Sequence, residues 1–224
     1  MDWTAFALSL KLAFWSSVLI LPLGIVLARL IAWGRFRGKS VLEALIILPL
    51  VLPPTVLGFY LLSAFSPVSA FGAAIKAIIG EPLVFTFAGI LVASVIVNLP
   101  FAVQPIQRAF EGIPANVREA AFVSGLSPLQ TTRFVELPLA WPGIVSALAL
   151  VIAHTLGEFG VILMIGGSIP GETRVLSIAI YDRVQAFHND EAAIMSAVLL
   201  AVSLVAIALV HMMARRHRAE IHHA

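Results

Sequence analysis

Five apolar stretches, each long enough or extendable enough for a helix to cross a lipid bilayer, leave this chain few ways to fold. They cover residues 12–28, 44–65, 83–103, 144–165 and 192–210, and the first extends towards Phe6 and Ile31. About 20 apolar residues in a helix span the ~30 Å hydrocarbon layer. Inside that layer every backbone polar group needs an internal partner, which an α-helix supplies within one segment. The chain is therefore expected to be all-α, a polytopic membrane protein of five to six transmembrane helices forming a single domain over 1–224. Composition agrees, because 60% hydrophobic and 12% charged residues in a 224-residue chain cannot clothe a soluble surface. A net charge of +2 with scattered arginines offers no phosphate-contacting face, so the expected partner is lipid and not nucleic acid. The absence of cysteine excludes disulfides, thiol catalysis and cysteine-ligated metals. No basic segment precedes the first apolar run, which is read as a retained helix rather than a cleaved signal.

Lysine and arginine set the orientation, since cytoplasmic loops are enriched in them. With the amino terminus outside, ten fall inside (Arg29, Arg35, Arg37, Lys39, Arg108, Arg118, Arg133, Arg215, Arg216, Arg218) and four outside (Lys11, Lys76, Arg174, Arg183). The expected topology is amino terminus out and carboxyl terminus in, with Arg215, Arg216, His217 and Arg218 as a basic stop beside anionic headgroups. The second span carries Pro49, Pro53, Pro54 and Gly58, and freed backbone groups are tolerable only against other helices or a cavity. It is read as interior or pore-lining, with a peripheral kink as the alternative. Outside, residues 66–82 are expected to dip into the interface. Residues 173–191 place Val175, Ile178, Ala179 and Val184 near helical spacing, which suggests an amphipathic surface helix.

The longest inside segment, residues 104–141, is more than a linker. Asn116 is read as the amino-terminal cap of a helix over 117–124, Gly125 stops it, and Ser127-Pro128 opens a second piece. Val117, Ala120, Ala121 and Phe122 give the first piece a small apolar surface, to rest on lipid or to dock into a partner. The spacing of Glu119-Ala120-Ala121, Gly125, Val135 and Leu137-Pro138 resembles the signature loop of ABC-importer permeases, with Val135 where that family has isoleucine. The resemblance implies a type I permease fold and a coupling loop at about 108–138 that seats in a separate ATP-hydrolysing subunit. It also implies two copies of that ATPase, a homodimeric permease, and an extracytoplasmic binding protein. The location implied is the inner (plasma) membrane of a bacterium or archaeon. In this picture Glu119 offers an ion pair or helix cap, and the small Ala120 and Ala121 permit close approach.

The chain itself carries no expected catalytic residue, cofactor or metal. Gly34-Arg35-Phe36-Arg37-Gly38-Lys39-Ser40 has three residues between its glycines where a phosphate-binding loop needs four, and a membrane helix in place of a strand precedes it, so it is a basic turn. Ionisable groups at membrane depth are expensive and face a cavity or a partner. His154 and Glu158 lie four apart on one helix face, open to a structural pair or inter-subunit hydrogen bond, a pore-lining role, or a metal site that would lack its third ligand. Asn98, near the end of the third span, also needs a partner.

The whole chain is similar to permeases for molybdate and related oxyanions. The strings that carry this are Leu48-Pro49-Leu50-Val51-Leu52-Pro53-Pro54-Thr55-Val56-Leu57-Gly58, Leu156-Gly157-Glu158-Phe159-Gly160 and Ile169-Pro170-Gly171-Glu172-Thr173-Arg174. Gly-Glu-Phe-Gly is shared with sulfate permeases; the other two favour molybdate or tungstate. No donor cluster fit to hold an oxyanion is evident, which suits a permease whose specificity lies in its binding protein, and Arg174 is placed to dock that protein or attract the anion. A stand-alone secondary transporter would need internal repeats, and an intramembrane enzyme would need a nucleophile beside His154; neither is evident.

Overall fold

The structure, a computed structural model, describes the backbone of residues 1–222 and the side chains of residues 1–210 and 212. The basic stop at Arg215, Arg216, His217 and Arg218 lies outside the described side chains. Among the described residues eleven helices run in order: α1 (Trp3–Trp33), α2 (Lys39–Val51), α3 (Pro54–Phe65), α4 (Ala70–Ile79), α5 (Phe87–Glu111), α6 (Ala115–Val123), α7 (Pro128–Thr131), α8 (Leu137–Gly157), α9 (Gly160–Gly166), α10 (Leu176–Gln185) and α11 (Asn189–His222). A π-helical segment, Thr132–Glu136, joins α7 to α8. Among the described residues four stretches are long and apolar enough to cross a membrane: α1, α5, Pro128–Gly157 and Asn189–Val210; the bent pair α2–α3 makes a fifth if it is one span. At a rise of ~1.5 Å per residue α1 is about 46 Å long, so its ends project beyond the hydrocarbon layer.

The core is a three-helix hub of α1, α5 and α8. Leu8 and Leu12 meet Ile90 near the starts of α1 and α5, and Ala28 and Ile31 meet Ile106 and Phe110 near their ends, so these two run parallel. Phe110 also packs with Ala140 and Ile144, which makes α8 antiparallel to both. Gly143 permits the tightest crossing: a Cβ there would sit 2.4 Å from the Ala109 Cβ and 2.7 Å from the Pro105 carbonyl oxygen. On the outside of the hub, α11 packs against α8 through Val210, Val145 and Ala149, and against α1 and α10 through Met195.

Three sequence expectations need correction. The apolar run 44–65 is not one straight helix: α2 and α3 meet at 114°. Pro53 and Pro54 cause this, since residues before proline are driven to extended backbone and Pro54 then suits the first turn of α3. The fourth span begins well before residue 144 and its helix stops at Gly157, where Glu158 is extended. The helix of the 104–141 segment starts at Ala115 behind Pro114, not at an Asn116 cap, because proline's fixed φ already sets the entry. Its neighbour starts as expected: Ser127 caps α7 in a capping box with Gln130, and Pro128 takes the first turn. The segments 66–82 and 173–191 contain the short helices α4 and α10.

Candidate functional site: a clamped loop and a buried polar pair

The α6–α7 segment stands at the end of the hub where α1 and α5 finish. Glu119 and Ala120 are exposed, and Glu119 pairs with no lysine or arginine among the described residues. Ala121 is buried and Val117 half-buried against the core, so the outward apolar groups are Ala120, Phe122 and Val123, joined by Leu129 and Phe134. Val123 is 88% and Leu129 78% exposed, which is costly in water unless another surface covers them. Gly125 has φ +86°, a left-handed backbone that glycine adopts without a Cβ penalty, and it turns the chain between the two helices. Val135 and Leu137 are half-buried and Pro138 is exposed at the start of α8.

Underneath this segment lies a cluster that sequence reasoning missed. Glu136, 0% exposed, accepts from Arg29 Nε at 2.7 Å and from Arg118 Nε at 3.0 Å. Arg118 belongs to α6 and Arg29 to α1, so one carboxylate ties the loop to the hub. Trp33 supports both arginines: its ring lies 3.7 Å from the Arg118 guanidinium carbon and 5.5 Å from that of Arg29. The available signal was an acidic residue standing alone between Val135 and Leu137 at the head of an apolar run.

At the other end of α8, His154 and Glu158 do meet, with Nε2 3.5 Å from Oε2. Glu158 does more than pair. Its Oε1 accepts the Val161 N–H at 3.1 Å at the start of α9, and its carbonyl accepts the Ser177 hydroxyl at 2.7 Å. His154 stacks on Phe101, ring centroids 4.1 Å apart. Both side chains border a cavity of about 140 Å³ whose opposite wall is the α2–α3 bend, with Pro49 and Pro54. Asn98, fully buried, donates to the Ser94 carbonyl at 2.7 Å and to Thr155 Oγ1 at 3.0 Å, while Ser16 donates to Ser94 Oγ at 2.9 Å. That chain of polar groups knits α1, α5 and α8 at the middle of the hub. Among the described residues, no three His, Cys, Asp or Glu side chains converge in a way that could hold a metal ion.

Arg174 is engaged within the chain: its Nη2 lies 3.1 Å from Asp2, which also caps α1. The Ile169–Arg174 string folds as a compact turn, with Thr173 donating to the Gly166 carbonyl and accepting the Ile169 N–H.

A family model described as the binding-protein-dependent transport system inner membrane component matches residues 20–219. The chain belongs to that family. It is similar to a molybdenum transport system permease protein of Azotobacter vinelandii, 46% identical over 85% of this chain and 84% of that one. A sulfate transport system permease protein of Salmonella typhimurium is 35% identical over 90% of this chain and 72% of its own length. The fold matches a chain in the crystal structure of a bacterial ABC transporter that imports alginate, with a TM-score of 0.77 at 21% identity, covering 95% of this chain and 78% of that one. Family membership and the apolar helices together make this a multi-pass membrane protein of the permease type. Within such a permease the exposed α6–α7 segment, with its clamp, and the polar groups around the α2–α3 bend are two regions where side-chain chemistry departs from plain lipid-facing helix.

Proposed function

We propose that this chain is the membrane-spanning subunit of an ABC importer for molybdate, two copies of which enclose the translocation path. Two copies of a separate ATPase subunit power it, and an extracytoplasmic binding protein delivers the oxyanion. The observation that carries this reading is the 46% identity to a molybdenum permease sustained over 85% of the chain. The amino terminus lies outside and α6–α7 inside, as the lysine and arginine bias supports. Glu119, Ala120 and Ala121, with Gly125, Val135, Leu137 and Pro138, then form the coupling loop. Its exposed Phe122, Val123 and Leu129 provide the apolar contact for an ATPase cleft. His154, Glu158 and Asn98 hold the broken helices around the membrane path rather than binding the ion, since an unneutralised Glu158 repels an oxyanion.

The test is reconstitution of the chain in liposomes with the ATPase and binding protein encoded beside it, followed by ATP-dependent uptake of labelled molybdate. Uptake that tungstate competes with and excess sulfate does not is the expected result. Equal competition by sulfate supports the second reading, a sulfate-type permease, which the 35% identity to the Salmonella typhimurium protein favours. Uptake without ATP or either partner overturns both.

A further inference from the structure

We propose that Glu136 is a positioning residue, gripped between Arg118 of α6 and Arg29 of α1, that makes the coupling helix move as one body with α1 and α8. This rests on the reading of α6–α7 as the coupling loop and adds the part that transmits its motion.

Few apolar contacts fasten α6, where Val117 is half-buried and Ala121 buried. A nine-residue helix is too short to persist on its own, and Ala121 is its one buried side chain. Gly112 stands three residues before it and Gly125 two residues after it, so no side chain braces the backbone at either of those points. Against that looseness stands a short, doubly paired carboxylate. Glu136 meets Arg118 at 3.0 Å and Arg29 at 2.7 Å, and the flat face of Trp33 confines the Arg118 guanidinium at 3.7 Å. Arg118 is the residue next to Glu119, so the clamp grips the helix directly behind its exposed face.

The backbone places the carboxylate where it can do this. Glu136 ends the π-helical segment, whose Leu137 N–H reaches back to the Thr132 carbonyl. One extra residue in the turn rotates α8 relative to α7, and such bulges concentrate at functional sites. Stability alone does not account for the cluster, because ion pairs to a buried carboxylate are often no more stabilising than apolar residues of similar volume. What an apolar patch would lack is direction: the two guanidinium forks fix one geometry between α1, α6 and the start of α8.

The experiment uses the reconstituted complex with its ATPase and binding protein, and exploits the absence of native cysteine. Spin labels at Arg35→Cys and Ser124→Cys report the separation of the end of α1 from the end of α6, with and without ATP and vanadate. In the native background the distance distribution is expected to stay narrow in both states. In Glu136→Gln and in Arg118→Met it is expected to broaden when nucleotide binds. Molybdate transported per ATP hydrolysed is expected to fall at least about fivefold while hydrolysis continues, and Arg118→Lys is expected to recover part of that loss. If Glu136→Gln does not assemble, Arg118→Met decides alone, because it leaves the Arg29 contact in place. A native transport ratio and a narrow distribution in Arg118→Met overturn the proposal. Glu119→Ala combined with Gly125→Pro separates the two levels. If that variant loses coupling and Arg118→Met does not, the clamp alone is wrong; if neither does, the coupling reading has failed with it.

Discussion

Two glutamates bracket α8, and each stands where the helix gives up regular hydrogen bonding. Glu136 closes the π-helical segment at one end; Glu158 is the extended residue that ends the helix at the other. Glu136 has two arginines and a tryptophan behind them. Glu158 has one histidine at 3.5 Å, and otherwise spends its oxygens on backbone N–H and hydroxyl groups of the α9–α10 segment. The first holds separate elements by charge, with a partner 107 positions away in the chain. The second organises its own neighbourhood, acting as a polar peg where a broken helix meets the α2–α3 bend. The same residue type thus serves long-range fastening in one place and local turn-making in the other.

The largest effect should come from the charged end. Glu136→Leu leaves two guanidinium groups facing each other with no counter-charge. Breaking a buried pair typically costs 3–5 kcal/mol, and the partial exposure of both arginines lowers the expectation here to about 3 kcal/mol. Thermal unfolding in detergent measures it. The triple change Arg29→Met, Glu136→Leu, Arg118→Met should recover most of the loss. A single Leu variant that melts with the native protein would show that the clamp carries no stability.

Between the two glutamates, α8 crosses α5 at Gly143. A Cβ at 2.4 Å from Ala109 must push the helices apart, so Gly143→Ala is expected to cost about 2 kcal/mol by overpacking. Adding Ala109→Gly should relieve only part of it, because the Pro105 carbonyl oxygen remains 2.7 Å away. Full relief would mean that the crossing is softer than the charged end it adjoins.

This contrast also explains what the sequence made legible. Lipid imposes a length requirement, so the apolar runs were plain. Charges that find distant partners look the same as loop charges, however, and Arg133 and Glu136 made the start of the fourth span look like linker. Nothing local to Glu136 announces Arg29. The consecutive prolines 53 and 54 showed freed backbone groups within one span, but not the 114° between α2 and α3, where α3 settles against α9 with Gly58 under Met164. Ser127-Pro128 was readable because a capping box is a local device. The His154–Glu158 pair was readable from its spacing of four; the use of Glu158 to cap α9 was not, because that requires the helix to stop at Gly157. Asn98 was visible as a polar group in need of a partner, while Ser16, Ser94 and Thr155, its network, were hidden as small residues within apolar runs.

A smaller effect is expected at the local end. Glu158→Gln keeps an oxygen able to accept the Val161 N–H and removes only the charge near His154, so the expected loss stays below about 1 kcal/mol, the size of a single capping hydrogen bond. Glu158→Ala removes the acceptor as well and should cost more. Equal losses for the two would assign the whole effect to charge, and Glu158 would then resemble Glu136 after all.

The smallest effect supplies the reference for the comparison. Arg108 and Glu111 pair at 3.3 Å near the end of α5, with the arginine side chain 83% exposed. The pair has the same chemistry as the clamp but neither its burial nor its reach between elements. Solvent screens it and both long side chains lose rotamer freedom to form it, so Arg108→Ala is expected to shift stability by less than about 0.5 kcal/mol. Repeating the melt at high salt should leave the variant and the native protein indistinguishable, whereas the difference between Glu136→Leu and native should persist, because buried charges are screened far less. If salt erased the Glu136 difference too, the clamp would be an ordinary surface ion pair, and α6 would be fastened by Ala121 and Val117 alone.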